Sequence, residues 1–186
     1  MEAGSTKGAW KKSFQKKTPS KIRHKIRAKI EEIQQTKEGV DTAFLLDVMG
    51  KIDNFIGVIP QDYLKNYKIF KFPAIFIVNL DLSTQEGSHW IGISISSKTV
   101  EIYDSLGMKS QFWETYPKFL IKFLGQFSKS HHILLTPCVQ NPNSFSCGAY
   151  VIFYILYRRF LSLSECVNIF SQDRSLNDKI LFNFLT

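Results

Sequence analysis

An α+β fold with a small mixed or antiparallel sheet flanked by helices is predicted for this 186-residue chain, and three observations predict it. The centre alternates with period 2 in "HWIGISIS" and "KTVEIYD", the pattern of two paired strands. Apolar residues recur at helical spacing on either side, in "SKIRHKIRAKIEEIQQ" and "DRSLNDKILFNFL". Between them "GAYVIFYILYRRF" is apolar nearly all round, which marks a helix buried in the core. Strands gathered in the middle with helices segregated around them make α+β the class.

Taken in order, the first 19 residues are polar and poor in branched apolar side chains, and read as a disordered arm. From Ser20, available as N-cap, isoleucines 22, 26, 30 and 33 form one narrow apolar stripe between faces of Lys and Arg. This defines a basic N-terminal arm over 1–36 and a single domain over 37–186. A helix is predicted from Asp41 through "DTAFLLDVMGKI", then a turn at "GVIPQDYL" with a short helical step from Pro60. "KFPAIFIVNLDL" reads as a strand, and the two alternating strands after it as half-buried. "QFWETYPKFLIKFLGQF" returns to helical spacing, with Pro117 marking a kink or the true helix start. "HHILLTP" reads as a last strand, and Ser162 with Glu165 has capping-box spacing ahead of a short helix.

Composition excludes several classes. Sixteen Phe, seven Tyr and three Trp supply a core, so the chain is not disordered throughout. Three cysteines without a CxxC pair give neither a disulfide framework nor a zinc-knuckle spacing, which favours a reducing compartment and no metal. No apolar run approaches the ~20 residues that cross a bilayer, and the N-terminus lacks a signal-peptide core, so a non-secreted protein without stable membrane insertion is expected. The net charge of +8 is uneven: residues 1–33 hold ten Lys or Arg against three Glu, and the remainder is nearly neutral.

The hairpin carries the first chemical signal. If the strands turn at Ser96 and Ser97, Ile93 faces Val100, Ile91 faces Ile102, and His89 faces Asp104 on the same apolar face. A carboxylate beside an imidazole fixes the ring tautomer and stabilises the imidazolium. Cys147 opens the buried helix, where the helix dipole and a nearby imidazolium favour its thiolate. Gly148 lets chain and substrate approach closely. The backbone N–H of Cys147 and the side-chain amide of Gln140, seven residues earlier, are candidate donors to an oxyanion. The bland alternatives are a buried, inert cysteine and an ordinary strand-end His–Asp pair.

The blocks "GSHW", "EIYDSLG" and "VQNPNSFSCGAYVIFY", in this order, resemble the adenovirus protease (adenain) and, more distantly, the ubiquitin-like-protein proteases that process SUMO. "VQ" before "PNS" and "CG" is adenain-like; the aspartate of "YDSLG" is closer to the SUMO-protease branch. The resemblance covers about Gly87 to Phe160. It implies a papain-like/adenain-like cysteine protease fold with the nucleophile at the N-terminus of a buried central helix. It also implies roles: Cys147 as nucleophile, His89 as base and acid, Asp104 as its orienting partner, Gln140 in the oxyanion hole, and Trp90 packed near the site. The substrates it implies are proteins cut at Gly-Gly or Gly-X sites, including capsid or structural precursors of viruses or transposons. Residence in the virion and the host nucleus or cytoplasm would follow. No cofactor is expected, although adenoviral enzymes are stimulated by DNA and by a disulfide-linked peptide. "GQFSKSHHILLT" lacks the cysteine for that linkage. The rival activities are removal of ubiquitin-like modifiers and a catalytically silent DNA-binding scaffold.

The arm fits a solvated tail, a phosphate-binding segment or a membrane-surface helix. Lys11, Lys12, Lys16, Lys17, Lys21, Arg23, Lys25 and Arg27, interleaved with Trp10 and Phe14, are the candidate nucleic-acid contacts.

Overall fold

The computed structural model describes residues 3–107 and 116–186. The start of the helical pattern expected from Gln111 lies outside the described residues, and the helix itself begins just after Pro117. In chain order the elements are α1 (Ala3–Lys17), α2 (Ser20–Thr36), α3 (Thr42–Met49), β1 (Phe55–Pro60), β2 (Ala74–Asn79), β3 (Trp90–Ile95), β4 (Thr99–Tyr103), α4 (Lys118–Gly125), β5 (His132–Leu135), α5 (Cys147–Tyr157), α6 (Leu163–Asn168) and α7 (Asn177–Leu185). Short 3-10 helices cover Gln61–Asn66 and Arg174–Leu176.

The five strands form one sheet in sequence order. The central pairs β2/β3 and β3/β4 are antiparallel, whereas the outer pairs β1/β2 and β4/β5 are parallel, so the sheet is mixed. The segment "GVIP", expected as a turn, is instead the end of β1. Its hydrogen bonds come from β2, a partner local turn propensity does not reveal.

Both faces of the sheet are covered, which corrects the half-buried expectation. On one face Ile91, Ile93, Ile95, Val100 and Ile102 pack with Leu120, Phe123 and Leu124 of α4. On the other, Trp90 and Tyr103 pack with α5, every residue of which is buried. Tyr103 and Tyr154 stack with ring centroids 4.6 Å apart. The helix lies close to the sheet because of Gly92: a Cβ there would come within 3.0 Å of the Tyr154 ring.

The hairpin register differs from the expected one by two residues. Ser96 and Thr99 close the turn through the Ser96 Oγ, which accepts from Thr99 N at 2.9 Å, so Ile93 faces Ile102 and Ile95 faces Val100. A slip of two keeps every side chain on its face, and the hydrophobic pattern is blind to it.

The N-terminal segment is helical, not a disordered arm. Helix α2 begins at Ser20 with Pro19 in the N-cap position and no side-chain cap, so Ser20 is the first helical residue rather than the cap. Ile22, Ile26, Ile30 and Ile33 are all buried in the cluster that includes α5, with Trp10 of α1 packed against its margin. The apolar stripe is a docking face for the protein's own core. Asp41 caps α3 by accepting from Phe44 N, and Ser162 with Glu165 forms the full capping box of α6.

Candidate active site

The site lies where the antiparallel strands end above the start of α5. His89 and Asp104 sit one residue beyond Trp90 and Tyr103, past the region where strand alternation dictates their faces. Register makes them diagonal rather than opposite, a separation long side chains span. His89 Nε2 donates to Asp104 Oδ1 at 2.7 Å. Cys147, at the start of α5, is near enough to the ring to raise its pKa, and Nδ1 is the nitrogen left to meet it. Cys147 belongs to the cluster on the opposite face of the sheet from Ile91 and Ile102. The imidazole therefore bridges from the strand end to the helix, and does not sit on the apolar face where alternation put it.

Asp104 is held on several sides. Its Oδ1 also accepts from Leu106 N at 3.0 Å, its Oδ2 accepts from the Tyr116 hydroxyl, and its backbone N–H donates to Thr136 Oγ1 at 2.9 Å. Burial disfavours a charged imidazole at position 89. Hydrogen bonds and charge attraction from Asp104 and Cys147 outweigh it, and the His89 pKa is raised to about 9. At neutral pH the ring is an imidazolium between a carboxylate and a sulfur.

Gln140 is equally fixed. Its Oε1 accepts from Ser105 Oγ at 2.6 Å, its Nε2 donates to Ser144 O at 2.9 Å, and its backbone N–H donates to Ser105 O at 2.7 Å. One amide hydrogen thus serves the turn leading to Cys147 and the other is left over. The Cys147 N–H, at the first position of α5, has no acceptor within the helix. Two donors and a sulfur whose proton has passed to the imidazole can form, hold and release a tetrahedral acyl intermediate.

Trp90 Nε1 donates to Val40 O at 2.9 Å, and both residues press on Gly148. A Cβ at Gly148 would lie 1.9 Å from Val40 Cγ2, so the residue after the thiol can be nothing larger while Val40 is in place. From this corner a groove of about 790 Å³ runs outward, with Val40, Trp90, Gly87 and Asn79 among its lining residues.

Sequence reasoning missed four supports: Ser105, Tyr116, Asn177 and Asp178. Asn177, fully buried, donates to Val139 O at 2.8 Å and Ser171 O at 2.9 Å. Asp178 accepts from Ser146 Oγ and Tyr150 Oη, each at 3.1 Å. The C-terminal helix thus ties down the turn before Cys147. Only Ser105, adjacent to Asp104 and of hydrogen-bonding type, carried a local signal.

The eight cationic candidates of the N-terminal segment lie on α1, α2 or the start of α2. Lys25 is paired with Asp47, Arg27 with Glu31, and Arg23 donates to Thr18 O. Lys17 lies over the Phe160 ring. All three cysteines are free. Burial pushes the Cys166 thiol up to about 12, and Cys138 accepts from Arg174 at 2.9 Å. Among the described residues no group of three or more His, Cys, Asp or Glu side chains could hold a metal ion. None of their helices is long and apolar enough to cross a membrane.

A mixed sheet flanked by helices, with an imidazole reaching from a strand end to a cysteine at the start of a buried helix, is the architecture of a cysteine peptidase. Residues 20–160 match the model of the Ulp1 protease family, C-terminal catalytic domain, and the chain belongs to that family. It is therefore a cysteine peptidase of the SUMO-protease-like superfamily, acting on protein substrates. No curated protein matches the chain.

Proposed function

We propose that the protein is an endopeptidase in which Cys147, His89 and Asp104 are the catalytic residues and cleavage falls at small residues of the Gly-Gly or Gly-X kind. The hydrogen bond from His89 to Asp104, with Cys147 at the ring's other side, carries the reading. Cys147 Sγ, as the thiolate whose proton the imidazole holds, attacks the scissile carbonyl carbon, forming the C–S bond while the carbonyl electron pair moves to oxygen. The Cys147 N–H and the spare Gln140 amide hydrogen stabilise that oxyanion. The imidazolium gives its proton to the departing amine as the C–N bond breaks, then as neutral imidazole takes one from the water that cleaves the thioester. Asp104, with Tyr116 behind it, keeps the ring oriented throughout. No cofactor takes part in these steps.

The preference for small residues is supported by the approach to the sulfur. Cys147 is 8% exposed and Trp90 and Val40 close over the adjacent Gly148, which leaves little room for side chains next to the scissile bond. The adenain-like "VQNPNSFSCG" supports structural precursors of a virus or transposon as the substrate class, with residence in the virion and in the host nucleus or cytoplasm. Association with DNA would engage Lys11, Lys12, Lys16 and Lys21, which form no ion pair among the described residues. DNA or an activating peptide would then stimulate cleavage.

A second reading, removal of a ubiquitin-like modifier from lysine, is favoured by the family match itself. One experiment separates the two. Iodoacetamide alkylation of Cys147 is followed across pH in the parent protein and in His89→Ala, alongside an electrophilic ubiquitin-like probe. A His89-dependent reactive thiol that ignores the probe supports the endopeptidase; a covalent adduct supports the isopeptidase. A slow thiol in both proteins, with and without DNA, overturns the catalytic assignment.

A further inference from the structure

The groove that ends at Trp90 and Val40 has a charge unlike that of the rest of the chain. Glu38, Asp41 and Glu86 line it, and among the described residues no Lys or Arg does, in a protein of net charge +8. Glu38 and Glu86 are exposed and form no ion pair among the described residues. Asp41 spends Oδ1 on the α3 cap, which leaves Oδ2. Carboxylates left unpaired beside a low-dielectric wall focus a negative potential into the groove.

A second observation on the same wall is Asn79, 9% exposed at the end of β2. Its Oδ1 accepts from Asp81 N at 2.9 Å, but its Nδ2 has no partner among the described residues. Gly87 leaves that amide its place: a Cβ there would come within 1.9 Å of Nδ2. A donor without an acceptor, on an otherwise largely buried side chain in the wall of an open groove, is suited to a peptide carbonyl entering from solvent. Val58, Pro60 and Leu82 supply apolar wall along which an aliphatic stem can lie.

We propose that this groove is a substrate subsite for a lysine or arginine side chain. Asn79 Nδ2 holds a main-chain carbonyl of the bound peptide, and the carboxylates of Glu38, Glu86 and Asp41 receive the cationic head. The inference rests on the proteolytic reading above and deepens it by naming the sequence class beside the scissile bond.

The test is cleavage of a peptide library made by digesting a cell proteome with a glutamyl endopeptidase, with the new ends sequenced by mass spectrometry. The expected result is enrichment of Lys and Arg at one position near the cut by about fivefold, the size that one or two exposed charge pairs give. The enrichment should shrink with added salt. It should disappear in Glu38→Gln/Glu86→Gln and be weakened in Glu86→Lys, with thermal melts showing that both variants fold. Cleavage without basic enrichment, or enrichment unchanged in these variants, overturns the subsite. A library left uncut by the parent protein overturns the proteolytic reading, and the subsite with it.

Discussion

Helix α5 carries a cluster of ionisable groups at each end, and the two clusters behave oppositely. At its C-terminal end Glu101 of β4 receives Arg158 through two hydrogen bonds of 2.6 and 2.8 Å and the Tyr154 hydroxyl at 2.7 Å. Arg158 also donates to Leu161 O, so the fork is used on both sides. At the N-terminal end the His89–Asp104 pair is just as tight, yet the ring's other nitrogen meets a thiol, and a groove opens alongside. A carboxylate beside a cation is therefore not itself a sign of chemistry. What separates a clamp from a site is whether a proton or a donor is left with somewhere to go.

Substitutions at the two ends sharpen this contrast. The largest effect is expected from Cys147→Ala: cleavage drops by more than about a thousandfold while the melting temperature holds, because the thiol is a small part of a large core. Retained turnover in a peptide assay would defeat the assignment of the nucleophile. Glu101→Ala should do the reverse, leaving half-buried Arg158 and the buried Tyr154 hydroxyl without their acceptor at a cost of about 2 kcal/mol, visible as a shifted denaturant midpoint. If that variant loses activity without losing stability, the two ends are not distinct.

Asp104→Asn should lower kcat about a hundredfold with little change in thermal stability, since an amide keeps the shape but not the charge that orients the ring. It should also bring the His89 titration, followed by NMR, down from about 9. The pH dependence follows from the same shift. A raised folded pKa means that His89 contributes its full stabilisation below about pH 6.5, and that this is lost as pH rises through about 9. Cleavage should fall over the alkaline part of that range because the amine loses its proton donor. Alkylation, which needs only the thiolate, should not fall with it. Parallel decline of both would place the proton elsewhere.

The smallest effect is expected from Tyr116→Phe. Removing one of the donors to Asp104 should reduce kcat a few-fold, leave KM unchanged and displace the alkaline limb of the pH profile. A change confined to stability would make Tyr116 structural only.

Much of this was legible in the chain itself. The isoleucines of α2, the helix start at Asp41, the capping box of α6 and the unbroken apolar run of α5 are signals written within one element, and each element stands where its signal lies. The pairing of His89 with Asp104 was legible because alternation places both at one end of a hairpin, even though the register is two residues away from the simplest one. The disordered reading of residues 3–17 failed because composition measures what a segment can bury alone, while α1 lays Trp10 against a core built by other segments.

The sequence by itself determined which residues could be thiol, imidazole, carboxylate and amide, and which segments would be helix or strand, because periodicity and side-chain chemistry are local properties. Tertiary structure alone decided that the outer strands are parallel, that Cys147 reaches His89 from the opposite face of the sheet, and that Ser105, Tyr116, Asn177 and Asp178 steady them. The groove belongs to this second group. Its acidic residues come from segments more than 40 positions apart, and contacts between distant segments are chosen only when the whole core closes around them.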